Sequence, residues 1–111
     1  MGDFCMFSFK KKEMNTTAAN QFWKWFVENE QWIIDNIHTN GMDVVWAVDA
    51  RIKPVFPYFK KELEFELGYN NGVGEFFFFH FGNRKLISDA QKLKELMPES
   101  LRRNWMFIAE K

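Results

Sequence analysis

The sequence predicts an α+β domain of two layers, an antiparallel sheet of three or four strands packed against two or three helices. Three observations lead there. Phe76-Phe77-Phe78-Phe79-His80-Phe81 reads as a strand with bulky side chains on both faces, because successive residues of an extended segment point to opposite sides. Leu63-Glu64-Phe65-Glu66-Leu67 alternates apolar and acidic with period two, the pattern of a strand with one buried face. Between Asn15 and Gly41, apolar residues recur at helical spacing instead.

The chain has 111 residues, which suits one domain over 1–111, with 1–12 as an extra strand or an arm. A domain of that size buries roughly 65% of the surface its unfolded chain exposes. Fourteen Phe and five Trp supply rings of about 150–250 Å² each, so the core needs no disulfide or metal staple. The one cysteine, Cys5, has no internal partner, as expected of a reducing cytoplasm. Met1-Gly2-Asp3 is acidic and the apolar stretch after it is short and broken, which predicts no signal peptide. The apolar runs fall far below the roughly 18–20 residues that cross a bilayer, so no membrane contact is expected. Fifteen basic residues balance fifteen acidic ones. That removes the global pull toward nucleic acid and leaves little charge repulsion against self-association.

Phe4, Met6 and Ser8, alternating with Phe7 and Phe9, suit a strand or arm ending in Lys10-Lys11-Lys12; such a run solvates or protects an edge. The first long helix starts near Asn15-Thr16-Thr17, good capping types. Phe22, Phe26, Ile33 and Ile37 share a face, Trp23 and Ile34 lie beside them, and Trp25 and Trp32 sit toward the flanks. Asn40-Gly41 is read as its end, with Gly41 at the left-handed position after the helix and His38 in the last turn. Met42 to Lys53 alternates as a strand would, yet Val44 or Val45, Val48, Ile52 and Val55 also fit a helical stripe and Ala47 and Ala50 favour a helix. It is read as a helix stopped by Pro54 and Pro57.

Glu62, Glu64 and Glu66 then face away from Leu63, Phe65 and Leu67. Gly68 to Gly74 reads as a hairpin loop and leads into the Phe strand. Gly82-Asn83 turns the chain, a helix follows from about Ser88 to Met97, and Pro98 closes it. Asn104 to Glu110 is the last strand, with Trp105, Phe107 and Ala109 on one face and Met106 and Ile108 on the other. It too is apolar on both sides, so it is placed beside the Phe strand in the middle of the sheet.

A sheet apolar on both faces needs two covering layers. Helices supply one. For the other, a homodimer packed through the aromatic sheet face is expected, and the candidate interface or pocket residues are Phe77, Phe79, Phe81, His80, Trp105 and Phe107. Alternation alone leaves open which row faces the helices.

Phe22-Trp23-Lys24-Trp25-Phe26, Leu63 to Gly68, the Gly-Asn turn, Leu93 to Pro98 and Trp105 to Ala109 together resemble a family of small, functionally uncharacterised bacterial proteins over most of 20–110. The resemblance implies a second helix between the first helix and the first strand, and it carries no reaction. Where relatives would have Ser-Ala before the Gly-Asn turn, this chain has Phe79-His80-Phe81.

No catalytic or cofactor motif stands out, and no cofactor is expected. Gly68, Gly72 and Gly74 lead into a strand rather than a helix, unlike a phosphate loop. His80 is of a type that serves as general base or metal ligand but has only His38 and Cys5 for company, with no metal-ligand spacing. Glu62, Glu64 and Glu66 suit a solvated face or the partner of lysines such as Lys10 to Lys12, Lys60 or Lys61. Cys5 has nothing beside it to lower its thiol pKa. Arg84, Lys85, Arg102 and Arg103 near the rings raise single-strand nucleic-acid binding, which zero net charge opposes. The leading expectation is a non-catalytic cytoplasmic module acting through protein contact, in an adaptor or immunity-type role. The alternative is a small-ligand binder or enzyme with an aromatic pocket near His80.

Overall fold

The computed structural model describes residues 13–110. The extra strand or arm expected over 1–12 lies outside the described residues. Helix α1 spans Thr16–Asn36, α2 Gly41–Ile52 with a 3-10 turn at Lys53–Val55, α3 Arg84–Glu95 and the one-turn α4 Glu99–Arg102. The strands are β1 Glu64–Asn70, β2 Val73–Phe79 and β3 Trp105–Ile108, in the order β1-β2-β3. The α+β architecture, with a three-stranded sheet against helices, is the one the sequence predicts.

Two details of the sheet differ from that expectation. The β1–β2 pair is antiparallel, but β2 and β3 run parallel. The reason lies in the connection: α3 and α4 carry the chain back along the sheet, and a crossover through helix returns it in the same direction. Moreover, β2 alone is central, and β3 is the outer strand of the described sheet.

Asn15 caps α1, its side-chain oxygen accepting the Ala18 N–H at 3.0 Å, and this satisfies one of the helix's free donors. The helix ends at Asn36, earlier than predicted, and Gly41 opens α2 instead of closing α1. The Asn40 carbonyl accepts the Asp43 and Val44 N–H groups, so the second helix begins where a left-handed terminator was expected. The helical reading of Met42 to Lys53 holds, with Val44, Val48 and Ile52 buried.

The hairpin is tighter than the glycine count suggested. Only Asn71 (φ 54°) and Gly72 (φ 79°) form its turn, the left-handed pair that matches strand twist. Gly68 and Gly74 belong to the strands. Asn83 caps α3 by accepting the Leu86 N–H at 3.1 Å, which starts that helix at Arg84, four residues before the predicted Ser88.

The helix-facing core is a lattice of rings. Phe22 of α1 meets Phe76 of β2, Trp23 meets Phe107 of β3, and Phe26 meets Trp105 at 5.0 Å between centroids in an edge-to-face contact. Such pairs add about 0.5–1.5 kcal/mol beyond the area they bury. The polar handles are satisfied as well: Trp23 Nε1–H donates to the Leu93 carbonyl at 2.8 Å and Trp105 Nε1–H to Glu30 at 3.0 Å. Helix α1 is thereby tied to α3 and to β3.

Candidate functional site

With Phe76 and Phe78 buried against the helices, alternation turns Phe77 and Phe79 to the opposite face. The open question of the two rows is thus decided, and the outward row is Phe77 and Phe79. On the same face β3 contributes Met106, 49% exposed, and Ile108. The strand register sets Glu66, Phe77 and Ile108 in one line across the sheet, and Glu64 beside Phe79.

Trp105 and Phe107, expected among the interface residues, are buried in the core. They share a strand with the exposed positions but point the other way. The alternation that placed them together was right; only their side of the sheet was undetermined.

His80 lies past the end of β2, in a turn. Its Nδ1 accepts the Gly82 N–H at 3.0 Å and its carbonyl accepts the Asn83 N–H at 2.9 Å, so it builds the turn from both ends. Phe81 within it has φ 48°. A left-handed backbone at a bulky residue costs about 1–2 kcal/mol, and burial does not offset it, because the ring is 70% exposed. What the turn achieves is position: Phe81 stacks on Phe79 at 6.0 Å and 23°. The outward row therefore continues past the strand, as predicted for Phe77, Phe79 and Phe81.

A shallow depression of about 270 Å³ on this face is lined by Glu66, Phe77, Phe79, Ile108 and Glu110, together with Phe78. His80 is not part of its lining, so the pocket imagined around that histidine is not this one. The strip is bordered by carboxylates, with Glu64, Glu66 and Glu75 along the strands and Glu110 beyond β3. None of these four forms an ion pair among the described residues. Glu62 is outside the row, paired at 3.6 Å with Lys53, and Lys60 donates to the Pro57 carbonyl. Lys85 is drawn toward Asp89 and lies over the Tyr58 ring. At the outer edge of β3 the strip also meets cations, since Lys94 and Arg102 line a second depression with Met106 and Ile108.

Asp89 is a site the sequence reading missed. It is 1% exposed on α3, accepts the Tyr58 hydroxyl on Oδ2 at 2.6 Å, and leaves Oδ1 without a hydrogen bond among the described residues. Lys85 and Lys92 approach its two oxygens at 3.7 and 3.8 Å. Burial, then the hydrogen bond to Asp89 and its charge, push the Tyr58 hydroxyl well above the usual tyrosine range. The cluster pins the segment after the 3-10 turn to α3. A signal existed: Asp89 falls one turn before Leu93, on the apolar stripe of an otherwise charged helix.

A second apolar stripe occupies the outward side of α2, where Met42, Val45 and Trp46 are exposed at positions sharing one helix face. Trp25 is half-buried beneath Arg51, whose guanidinium stands 5.6 Å from the ring centroid. Among the described residues no group of three or more His, Cys, Asp or Glu is arranged to hold a metal ion, and no helix is long and apolar enough to cross a membrane.

No family model, curated protein or solved structure matches this chain.

Proposed function

We propose that this is a non-catalytic protein–protein interaction module, in an adaptor or immunity-type role in the cytoplasm, whose docking surface is the outer face of the sheet. What carries the reading is the outward strip of exposed Phe81 and Met106 and half-buried Phe77, Phe79 and Ile108, which no described helix covers. Contiguous apolar patches on a protein surface mark contact sites, and aromatic residues and Met are the types enriched in protein interfaces. The strained turn that holds Phe81 over Phe79 adds to it, since backbone strain gathers where a residue is positioned for binding.

Two occupants suit such a surface, a second copy of the chain and a different protein. Self-association is read by sedimentation velocity at tens of micromolar, where a homodimer sediments as twice the chain mass. The interaction reading is tested by affinity capture from the native cells with the wild-type chain and with Phe77→Asp. A single stoichiometric protein, retained by the wild type and lost from the variant at equal thermal stability, is the expected result. Equal retention by both chains would place the contact elsewhere.

A further inference from the structure

The border of the strip distinguishes between the occupants. Four glutamates border the rings without an ion pair among the described residues, while Lys94 and Arg102 stand at the β3 edge beside Met106 and Ile108. Two copies apposed squarely over the Phe77 depression would bring Glu66 and Glu110 of each against those of the other, and like charges across an interface oppose association. An anionic lipid surface or a nucleic-acid strand meets the same barrier. At this depression, whose charged lining is Glu66 and Glu110, the charge complement is a cation.

The geometry sharpens this. The depression is lined by Phe77, Phe79 and Ile108 together with Glu66 and Glu110. Glu66, Phe77 and Ile108 occupy one line across three strands, so Glu66 and Ile108 stand roughly 10 Å apart from the spacing of neighbouring strands. In an extended chain, residues three or four apart span about 10–13 Å. One apolar side chain in the depression therefore brings the residues two positions before and after it close to the two carboxylates.

We infer that the outer sheet face takes an extended, cationic segment of another protein, with one bulky apolar side chain seated between Phe77, Phe79 and Ile108 and a lysine or arginine on each side, at Glu66 and Glu110. The inference rests on the interaction reading above and names the chemistry of its partner. Steering by the glutamates makes the association dependent on ionic strength.

The probes are three capped nonapeptides that share all but their centres: lysine-serine-tryptophan-serine-lysine, glutamate-serine-tryptophan-serine-glutamate and lysine-serine-serine-serine-lysine. Each is titrated to millimolar concentration into the ¹⁵N-labelled full chain and followed by amide chemical shifts. The lysine-flanked tryptophan peptide is expected to shift Glu66, Phe77, Phe79 and Ile108, and to bind several-fold more weakly at 300 mM salt than at 50 mM. The double variant Glu66→Gln/Glu110→Gln is expected to lower its affinity at least fivefold with the unfolding midpoint unchanged.

Equal binding of the glutamate-flanked peptide, or no shifts at these residues, overturns the inference. So does carbodiimide cross-linking that joins these glutamates to Lys10, Lys11 or Lys12 of the same chain, because the chain would then fill its own groove. If capture from cells is lost with Phe77→Asp but survives Glu66→Gln/Glu110→Gln, the cationic partner is wrong while the interaction reading stands.

Discussion

Gly74 on β2 lies directly against the indole of Trp105, its Cα partner on β3, so that a β-carbon at Gly74 would overlap the ring. The missing side chain is what lets the tryptophan lie flat on the strand and reach Glu30 with its N–H. Close approach of this kind is a usual reason for glycine inside a strand.

Gly74→Ala is accordingly expected to destabilise the fold by about 1–3 kcal/mol, the range for overpacking a filled core. Urea denaturation read by tryptophan fluorescence measures it. In a Trp105→Leu background the same substitution should cost less, since the added methyl then has room. An equal cost in both backgrounds would mean that the ring and the glycine are not coupled.

The Tyr58–Asp89 pair links stability to alkaline pH. Folding raises the Tyr58 pKa, so the folded chain keeps the hydroxyl proton more tightly than the unfolded one. Its contribution is complete below the unfolded value of about 10 and is lost as pH rises above it. Tyr58→Phe removes this slope and leaves Asp89 Oδ2 without its donor, at a cost of about 1–3 kcal/mol at neutral pH. Urea midpoints of both chains between pH 8 and 11 should converge as pH rises. Parallel curves would refute the linkage.

Phe81 is expected to exchange stability for position. Phe81→Gly relieves the left-handed strain, about 1–2 kcal/mol, against a loss of roughly 0.5–1 kcal/mol from the greater freedom of glycine in the unfolded chain. The unfolding midpoint should therefore stay level or rise slightly. Binding of the lysine-flanked tryptophan peptide should fall several-fold at the same time, because the ring stacked on Phe79 is gone. A clear loss of stability would make Phe81 a structural residue instead.

Asn83→Ala removes the N-cap of α3, and about 1 kcal/mol of stability should go with it. Asn83→Ser should recover most of that. Thermal unfolding followed by circular dichroism compares the three chains.

Periodicity was enough to locate α1, β1, β2 and β3, because each has apolar residues at its own spacing and the rings leave little choice of what to bury; over α2 it fitted strand and helix alike, and Ala47 and Ala50 favoured the helix. It also grouped Phe77 with Phe79 and Phe81 on one side. Boundaries were less legible where two elements abut: Gly41 serves as a helix start because the Asn40 carbonyl meets the next helix's first N–H groups. The sequence reading places Gly74 in the loop, because glycine in sequence does not announce whether it permits a turn or a close neighbour. Asp89 and Tyr58 are 31 residues apart, and only the packing of α3 on the 3-10 segment makes them partners.

Local order alone thus determined that this chain has strands greasy on both sides and helices with one buried stripe. Which side of those strands the helices cover, and that β3 runs parallel to β2 at the margin, was decided in three dimensions. The physical reason is that alternation records that two rows of side chains differ in direction, while burial depends on what arrives from elsewhere in the chain. Here α1 brings Phe22, Trp23 and Phe26 onto Phe76, Trp105 and Phe107, and the row of Phe77, Phe79 and Phe81 is left facing outward among glutamates.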